Sequence, residues 1–321
     1  MKANQSIWDK LQGIDRRILY SILIVLTSVP LFITVALPVD PDPSSKDFYA
    51  TIMSIPPEKT VFLQSDWTNS TRGENGGHLE SIFRILMNKR QKFVIYSLAD
   101  PQAPQVFRDV MLRINQEREA QGLERYKPWV DYVDLGFFAN AEGTTVSIGN
   151  DVRQLFGSRR AKDDQGVERN VFESPVLQPV RKVGDAGLFL IVTASNTIDY
   201  AVQRLSGKVK MACACTGVIG PSALVYYQSK QLEGVAVGLK GVYDVEYMMN
   251  YGLNLEGPDG KKMVEFSEKP TVTAPAIAEG TKFGRGSKYF ASLHAALGLV
   301  ILAVVLGNIG MFASRKKEKQ S

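Results

Sequence analysis

The sequence predicts an α/β protein: a doubly wound, mostly parallel sheet flanked by one transmembrane helix at each end. Between residues 58 and 255, short apolar runs alternate with amphipathic helical patterns, which favours parallel strands covered on both faces. At the ends, residues 18–37 and 289–314 are hydrophobic runs without Asp, Glu, Lys or Arg. At about 1.5 Å per helical residue, each is long enough for a hydrocarbon core of about 30 Å.

The elements of the middle region follow from their periodicity. Strands are predicted at 60–64, 93–98, 130–137, 187–193, 208–213 and 235–239, where apolar residues are continuous. Helices are predicted at 78–88, 104–119, 197–205, 221–230 and 243–251. In the first of these helices, Leu79, Ile82, Phe83 and Leu86 share one face. After the third strand the pattern weakens: residues 139–149 are small and polar, and we expect a short helix at 151–156 and a charged, mobile loop at 157–170.

The distribution of basic residues predicts the orientation in the membrane. Lys2, Lys10, Arg16 and Arg17 precede the first run, whereas residues 38–51 contain only Lys46. By the positive-inside rule both termini are cytoplasmic and the main domain is extracytoplasmic, at the cytoplasmic (inner) membrane. A cleaved signal peptide is the alternative for the first run. Its Thr34-Val35-Ala36 end lacks the small-x-small pattern and the run is long, so a retained anchor is favoured.

The boundaries of the predicted segments follow from these features. Cytoplasmic tails occupy 1–17 and 315–321, transmembrane helices 18–38 and 289–314, a linker 39–57, the α/β domain 58–255 and a stalk 256–288. The linker and the stalk are rich in proline and glycine, so we expect 39–47 to be extended.

The basic pI does not indicate a nucleic-acid partner. Of 38 basic and 33 acidic residues, eight and three lie in the two tails, which leaves 30 of each in the middle. The net charge of +5 therefore belongs to the tails, whereas nucleic-acid binding needs a basic face on the folded domain. The partners that the sequence predicts are the lipid bilayer and either other subunits of a membrane complex or further copies of the chain.

Ligands of open α/β sheets bind where strands lead into helices, so these loops supply the candidate site. The loop 65–77 is long and carries Asp66 and Arg72, and Gly76 and Gly77 would let helix-start N–H groups face an anion. It matches neither a GxGxxG nor a Walker pattern, and a plain surface loop is the alternative. The other candidate binding residues are Ser195, Asn196, Thr216, Gly217, Ser222 and Lys240. As alternatives to ligand binding, Ser195 or Asn196 would cap the helix that follows, and Lys240 would be a solvated surface charge.

Both cysteines lie in one segment, Cys213 and Cys215. A thiol near a helix start can have a lowered pKa, so Cys215, His78 and Asp66 form an alternative catalytic constellation. Burial as small hydrophobic side chains explains the cysteines without catalysis. With two histidines in the chain, zinc is not expected, and the sequence indicates no cofactor.

The stretch 226–246, YYQSKQLEGVAVGLKGVYDVE, resembles a segment from a family of uncharacterised bacterial membrane-anchored proteins with a Rossmann-like domain. The matching positions are Gln228, Ser229, Gln231, Leu232, Gly234, Gly238, Leu239, Gly241 and Glu246. The segment DYVDLGF at 131–137 is also similar. The resemblance implies a bacterial origin and a doubly wound domain, but no activity. The paired cysteines are not a feature of that family.

Two functional classes fit these observations. The first, which we favour, is a membrane-anchored extracytoplasmic binding or assembly module, a non-catalytic subunit of a larger bacterial membrane complex. The second is a membrane-tethered hydrolase or transferase that uses the loops at the carboxyl edge of the sheet. The absence of a coherent catalytic set favours the first, and the sequence leaves room for a small-molecule ligand.

Overall fold

The computed structural model describes residues 15–33, 37, 39–163, 165–251, 254–256, 262–265 and 284–318. It divides the chain into two compact units. One consists of Met1–Pro38 with Ser287–Ser321 and contains the terminal helices, and the other, Val39–Gly286, contains the sheet.

The central sheet of the second unit has six parallel strands in the order β3-β2-β1-β6-β7-β8. Two short antiparallel pairs, β4 with β5 and β9 with β10, stand apart from it. The strands are β1 (Val61–Asp66), β2 (Phe93–Ser97), β3 (Tyr132–Phe137), β4 (Arg160–Lys162), β5 (Glu168–Asn170), β6 (Leu188–Thr193), β7 (Met211–Cys215), β8 (Gly234–Val237), β9 (Asn254–Glu256) and β10 (Lys262–Glu265). The strand order reverses between β1 and β6, as in doubly wound Rossmann-like sheets, and confirms the predicted α/β class.

Helices cover both faces of this sheet. In the second unit they are α1 (Pro43–Met53), α2 (Arg72–Asn88), α3 (Ala103–Ala120), α4 (Ala141–Asn150), α5 (Val152–Phe156), α6 (Thr197–Leu205), α7 (Gly220–Gln228) and α8 (Gly238–Tyr251). The first apolar layer contains buried residues of α1, α2, α3 and α8, and the second contains residues of α4 to α7. The near-continuous apolar strands are explained by this double coverage.

The segment 39–47, predicted as an extended linker, instead leads into a core helix. Pro43 stands in the first turn of α1, where a missing N–H costs nothing, and Phe48, Tyr49 and Ile52 are buried in the first layer. The helix lies against β8 so closely that a Cβ on Gly234 would lie 2.1 Å from the Phe48 backbone nitrogen. The two prolines that suggested a linker thus accompany the start of a packed helix.

Two more parts of the middle region differ from the sequence analysis. Residues 139–149, for which no element was predicted, include most of α4, whose start is capped by Asn140: its side chain accepts the Gly143 N–H at 3.0 Å. Within 157–170, β4 and β5 form a hairpin where a charged loop was expected, and Asp163 accepts a hydrogen bond from Arg169 at 2.8 Å. Most of the predicted stalk, 256–288, lies outside the described residues.

The terminal helices correct the prediction of one transmembrane helix at each end. Within the described residues, only Arg285–Phe312, part of the C-terminal helix Arg285–Glu318, is long and apolar enough to cross a membrane. The N-terminal helix, Arg16–Phe32, has 17 residues. At about 1.5 Å per residue it is shorter than a hydrocarbon core of about 30 Å. Residues 34–36 and 38 of the predicted span lie outside the described part.

Candidate functional site

The candidate site lies at the carboxyl edge of the sheet, where β1 and β6 are neighbours. From β1 the chain continues to β2 on one side, and from β6 it continues to β7 on the other. A crevice forms at such a reversal of strand order, and it is the usual ligand position in this class of fold. Asp66 ends β1 and Thr193 ends β6, and the two residues are paired in register.

Asp66 is a buried carboxylate that holds neighbouring backbone in place. One oxygen accepts hydrogen bonds from the Leu98 N–H at 2.6 Å, the Ser97 hydroxyl at 3.0 Å and the Ala99 N–H at 3.3 Å. The other accepts the Gln64 amide at 2.6 Å. Burial raises the pKa of Asp66, and the hydrogen bonds lower it less than burial raises it. The carboxylate thus fixes the chain that leaves β2, and with 1% exposure it is not open to a ligand.

Three hydroxyl groups form a cluster beside Asp66. The Thr193 Oγ1 lies 3.2 Å from the Ser195 Oγ and 3.3 Å from the Thr197 Oγ1, and the last two lie 3.1 Å apart. Ser195 is half-buried. Asn196 occupies the N-cap position of α6 without a side-chain capping bond, so the capping expectation for it was wrong. Of the three residues in this cluster, only Ser195 was a predicted binding residue; Thr193 and Thr197 were not.

His78 lies on α2 and is buried. Burial lowers the pKa of its imidazole to about 4, although contacts with the backbone of Cys215 and Gly238 raise it. The ring is therefore neutral near pH 7. It faces main-chain groups at the carboxyl end of β7, which identifies it as a packing residue between α2 and the strand end.

The two cysteines are fully buried free thiols in the second apolar layer. Burial raises the pKa of the Cys213 thiol, and the neighbouring Cys215 adds to this. No hydrogen bond joins the Cys215 thiol, the His78 imidazole and the Asp66 carboxylate within the part of the chain that the structure describes. The alternative catalytic constellation is therefore not assembled.

Gly76 and Gly77, predicted to let helix-start N–H groups face an anion, allow close helix packing. A Cβ on Gly77 would lie 2.6 Å from the Val242 Cγ1, and one on Gly76 would lie 2.8 Å from the Arg285 Nη1. Glu74, two residues before Gly76 on the same helix, accepts the Gly217 N–H at 2.7 Å. The Gly217 N–H, a candidate donor to a bound ligand, is thus already bonded to the Glu74 carboxylate.

The remaining predicted residues are dispersed along the same edge. Arg72, Gly217 and Ser222 are exposed, and Thr216 is buried, with its carbonyl accepting the N–H groups of Ile219 and Gly220 at 3.1 Å. These side chains do not converge on one point with the hydroxyl cluster. Gly217 has no side chain, so its backbone N–H is the only donor that it offers at this edge.

Lys240 belongs to a clamp on the incoming chain rather than to a ligand site. Its ammonium donates to the carboxylate of Asp244 and to the Asp40 carbonyl at 2.9 Å. Asp244 also accepts the Asp42 N–H at 3.0 Å. Burial raises the pKa of Asp244, whereas Lys240 lowers it. The buried pair therefore fixes the residues through which the chain enters the α/β unit.

The outgoing chain is fixed two residues further along the same helix. Glu246, which is 2% exposed, accepts the Gly286 N–H at 2.8 Å. A Cβ on Gly286 would lie 2.7 Å from the Tyr243 nitrogen, so this close approach requires glycine. The sequence reading missed Asp244, although its spacing of four from Lys240 on an apolar helix is the signal of an ion pair.

Comparison with protein-family models, curated proteins and solved structures gives no significant match to this chain. The resemblance of residues 226–246 to a bacterial membrane-anchored family stays a prediction. Within the described residues, no group of three or more His, Cys, Asp or Glu side chains is arranged to hold a metal ion. The geometry of the fold and its edges is therefore the basis for assigning a function.

Proposed function

We propose that this chain is a membrane-anchored extracytoplasmic binding or assembly module, a non-catalytic subunit of a membrane complex. The observation that carries the proposal is the pair of clamps on α8. Asp244 holds the chain where it enters the α/β unit, and Glu246 holds it where the chain leaves. Both connections are therefore bonded to the same helix, which suits a domain held on a bilayer at both ends.

The chemistry of the carboxyl edge supports binding over catalysis. Asp66 is fully engaged by backbone and side-chain donors, and the imidazole of His78 contacts main-chain groups. Cys215 lies in an apolar layer. A nucleophile and its base must lie within hydrogen-bond reach of each other, and these three side chains do not meet that condition.

The terminal helices support two anchors. Apolar side chains are exposed along both, including Ile24 at 65% and Ile301 at 63%. The Ser292 hydroxyl of the C-terminal helix donates to the Thr27 carbonyl of the N-terminal helix at 2.9 Å. Interhelical hydrogen bonds of this kind stabilise helix pairs in lipid. We propose that both terminal helices anchor the chain in the bilayer, with both termini in the cytoplasm.

Paired charge substitutions test the number of anchors. Ile24→Lys with Val25→Lys places two charges in the N-terminal helix, and Ile301→Lys with Leu302→Lys does the same in the C-terminal helix; each lysine costs about 3 kcal/mol at the membrane centre. With two anchors, either pair alone leaves the chain in alkali-washed membranes, and both pairs together release it. Release by the C-terminal pair alone would show a single anchor.

Gentle detergent extraction from the native membrane, followed by size determination and mass spectrometry, tests the assembly role. Stable co-purification in a large particle is the expected result. Cys215→Ala serves as the matched test of the enzyme alternative and should leave the particle and every measured activity unchanged. A lone monomer, or an activity lost on substitution of Cys215, would contradict the proposal.

A further inference from the structure

A cavity of about 560 Å³ opens at the opposite, amino edge of the sheet. Its floor includes Gly187 and Met211, at the starts of β6 and β7, and its walls carry Lys59, Lys208, Lys210 and Lys230. Glu233 is the one acidic side chain among the residues that line it. The lining therefore carries three net positive charges, in a volume typical of small-molecule sites.

The lysines of this cavity have no carboxylate partner. Within the described residues, none of the four ammonium groups lies within 4.0 Å of an Asp or Glu oxygen. Lys59 donates to the Asp185 carbonyl at 3.3 Å, and Lys208 donates to the Gly149 carbonyl at 3.1 Å. Carbonyl groups fix these two side chains, and the charge of Lys59 also acts on the Asp185 carboxylate, whose pKa it helps to lower.

A second cavity shows that basic residues that line a cavity of this protein can be paired with carboxylates. It measures about 510 Å³, beside β3, and also has three basic groups, Arg108, Arg125 and Lys127. Each of them has a carboxylate partner, at 2.5, 3.3 and 3.3 Å respectively. The basic residues of that cavity are neutralised by the protein itself, whereas those at the amino edge are not.

The backbone places one of these lysines. Lys230 has a φ of 62° and ends α7: its N–H donates to the Tyr227 carbonyl at 3.0 Å, and the Gln231 N–H donates to the Tyr226 carbonyl at 2.9 Å, the usual left-handed cap of a helix. Here the conformation brings an ammonium group to the rim of the cavity, 5.6 Å from the centre of the Tyr227 ring.

We propose that the amino-edge cavity binds a small soluble anion that carries at least two phosphate groups. Lysine ammonium groups act on phosphate as point charges, and several of them around one cavity favour a multiply charged ligand over a single carboxylate. The site uses residues and an edge of the sheet that the proposed assembly role does not involve, so either proposal can fail without the other.

Calorimetric titration of the full-length protein in detergent with pyrophosphate and with ATP tests the site. We expect saturable binding of at least one of them at one site. Lys208→Gln with Lys210→Gln should weaken it by about tenfold for each ammonium removed. The conservative pair Lys208→Arg with Lys210→Arg should retain it. Arg125→Gln with Lys127→Gln, in the second cavity, is the matched control and should bind as the unchanged protein does.

Several results would overturn the proposal. One is the absence of a calorimetric response to either probe, and another is equal binding by the Lys208 and Lys210 double variant while its thermal unfolding is unchanged. Loss of binding in the Arg125 and Lys127 variant instead would place the ligand in the second cavity. Stabilisation by micelles doped with phosphatidic acid, without a response to soluble probes, would assign the site to a lipid headgroup.

Discussion

The two edges of the sheet differ in how their polar groups are satisfied. At the carboxyl edge, Asp66 accepts four hydrogen bonds and Glu74 accepts the Gly217 N–H, while Lys240 is paired with a buried carboxylate. At the amino edge, Lys208 and Lys210 are exposed and have no carboxylate partner within the described residues. The first edge holds the fold together, and the second carries uncompensated charge.

This difference shows that strand order alone does not locate a ligand. In doubly wound sheets the carboxyl edge at the reversal point is the expected site because helix-start N–H groups and loop side chains converge there. Here Glu74 and Asp66 bond to such donors, and Gly77 of α2 is covered by Val242 of α8. The fold class therefore predicts where a ligand site is expected. The hydrogen-bond partners of the polar groups at that position decide whether the site is open to a ligand.

The largest effect is expected from Asp66→Ala. The substitution leaves the buried donors of Gln64, Ser97 and Leu98 without an acceptor, and each unsatisfied group costs about 1 to 3 kcal/mol. We expect the free energy of unfolding to fall by about 3 kcal/mol or more, measured by urea denaturation with tryptophan fluorescence.

Asp109→Ala is the matched control for this substitution, because the Asp109 carboxylate is exposed and accepts only the Gln105 side chain, at 2.8 Å. It should change stability by less than about 0.5 kcal/mol. An equally small effect of Asp66→Ala would show that the carboxyl edge is not held by this carboxylate.

The next largest expected effect is a dependence of the free energy of unfolding on pH, which comes from His78. Its pKa is about 4 in the folded protein, against the ordinary value of 6.5 in the unfolded chain, so the unfolded state binds the proton more readily. The stabilising effect of the neutral ring is complete above pH 6.5 and is lost as the pH falls towards 4. Unfolding measured from pH 7 to 4 should show a loss of up to about 3 kcal/mol.

His78→Gln removes this titration, so the stability of the variant should fall less than that of the unchanged protein between pH 7 and 4. Glu80 provides a contrast at lower pH. Burial alone would raise its pKa, but Arg113 and Arg84 lower it to about 2, so its contribution is lost only below pH 4.5. Identical pH profiles for the unchanged protein and His78→Gln would show that the imidazole is not buried as described.

A smaller effect is expected from Gly77→Ala. The added methyl group would overlap the Val242 side chain, a β-branched residue with little freedom to move, and such overpacking costs about 1 to 3 kcal/mol. Gly73→Ala, in the same helix and with open space around it, should instead stabilise by about 0.5 to 1 kcal/mol. Val242→Ala should rescue Gly77→Ala, and a failure to rescue would assign the cost to another contact.

The strand and helix pattern of this fold could be read from its sequence because the strands are buried on both faces. The runs at Leu188–Thr193 and Phe93–Ser97 are continuous and apolar, and their positions were predicted within two residues. The helix Pro43–Met53 was missed, because prolines at its start resemble those of a linker. Its assignment depends on the approach of Phe48 to Gly234, a contact between distant parts of the chain.

The site was harder to predict than the fold, because a residue type does not reveal its partner. Gly76 and Gly77 are of the residue type found in anion-binding loops, but in the structure they allow Arg285 and Val242 to pack closely against α2. The four lysines of the amino-edge cavity come from loops spread between Lys59 and Lys230, so no local motif marks them. Lys240 was a candidate because it stands where a strand leads into a helix, but its partner is Asp244.

Acylation of lysine side chains in the native protein compares the accessibility of the two edges without a substitution that changes the stability of the fold. Lys240 is 22% exposed and bonded to the Asp244 carboxylate, whereas Lys208 and Lys210 are exposed. An amine-directed ester should therefore modify Lys240 at least about tenfold more slowly, as followed by peptide mass spectrometry. Pyrophosphate should protect Lys208 and Lys210 but leave the exposed hairpin residue Lys162 unchanged. Equal rates at Lys240 and Lys210 would remove the distinction between a closed carboxyl edge and an open amino edge, because bonding to a buried carboxylate must restrict access to the amine.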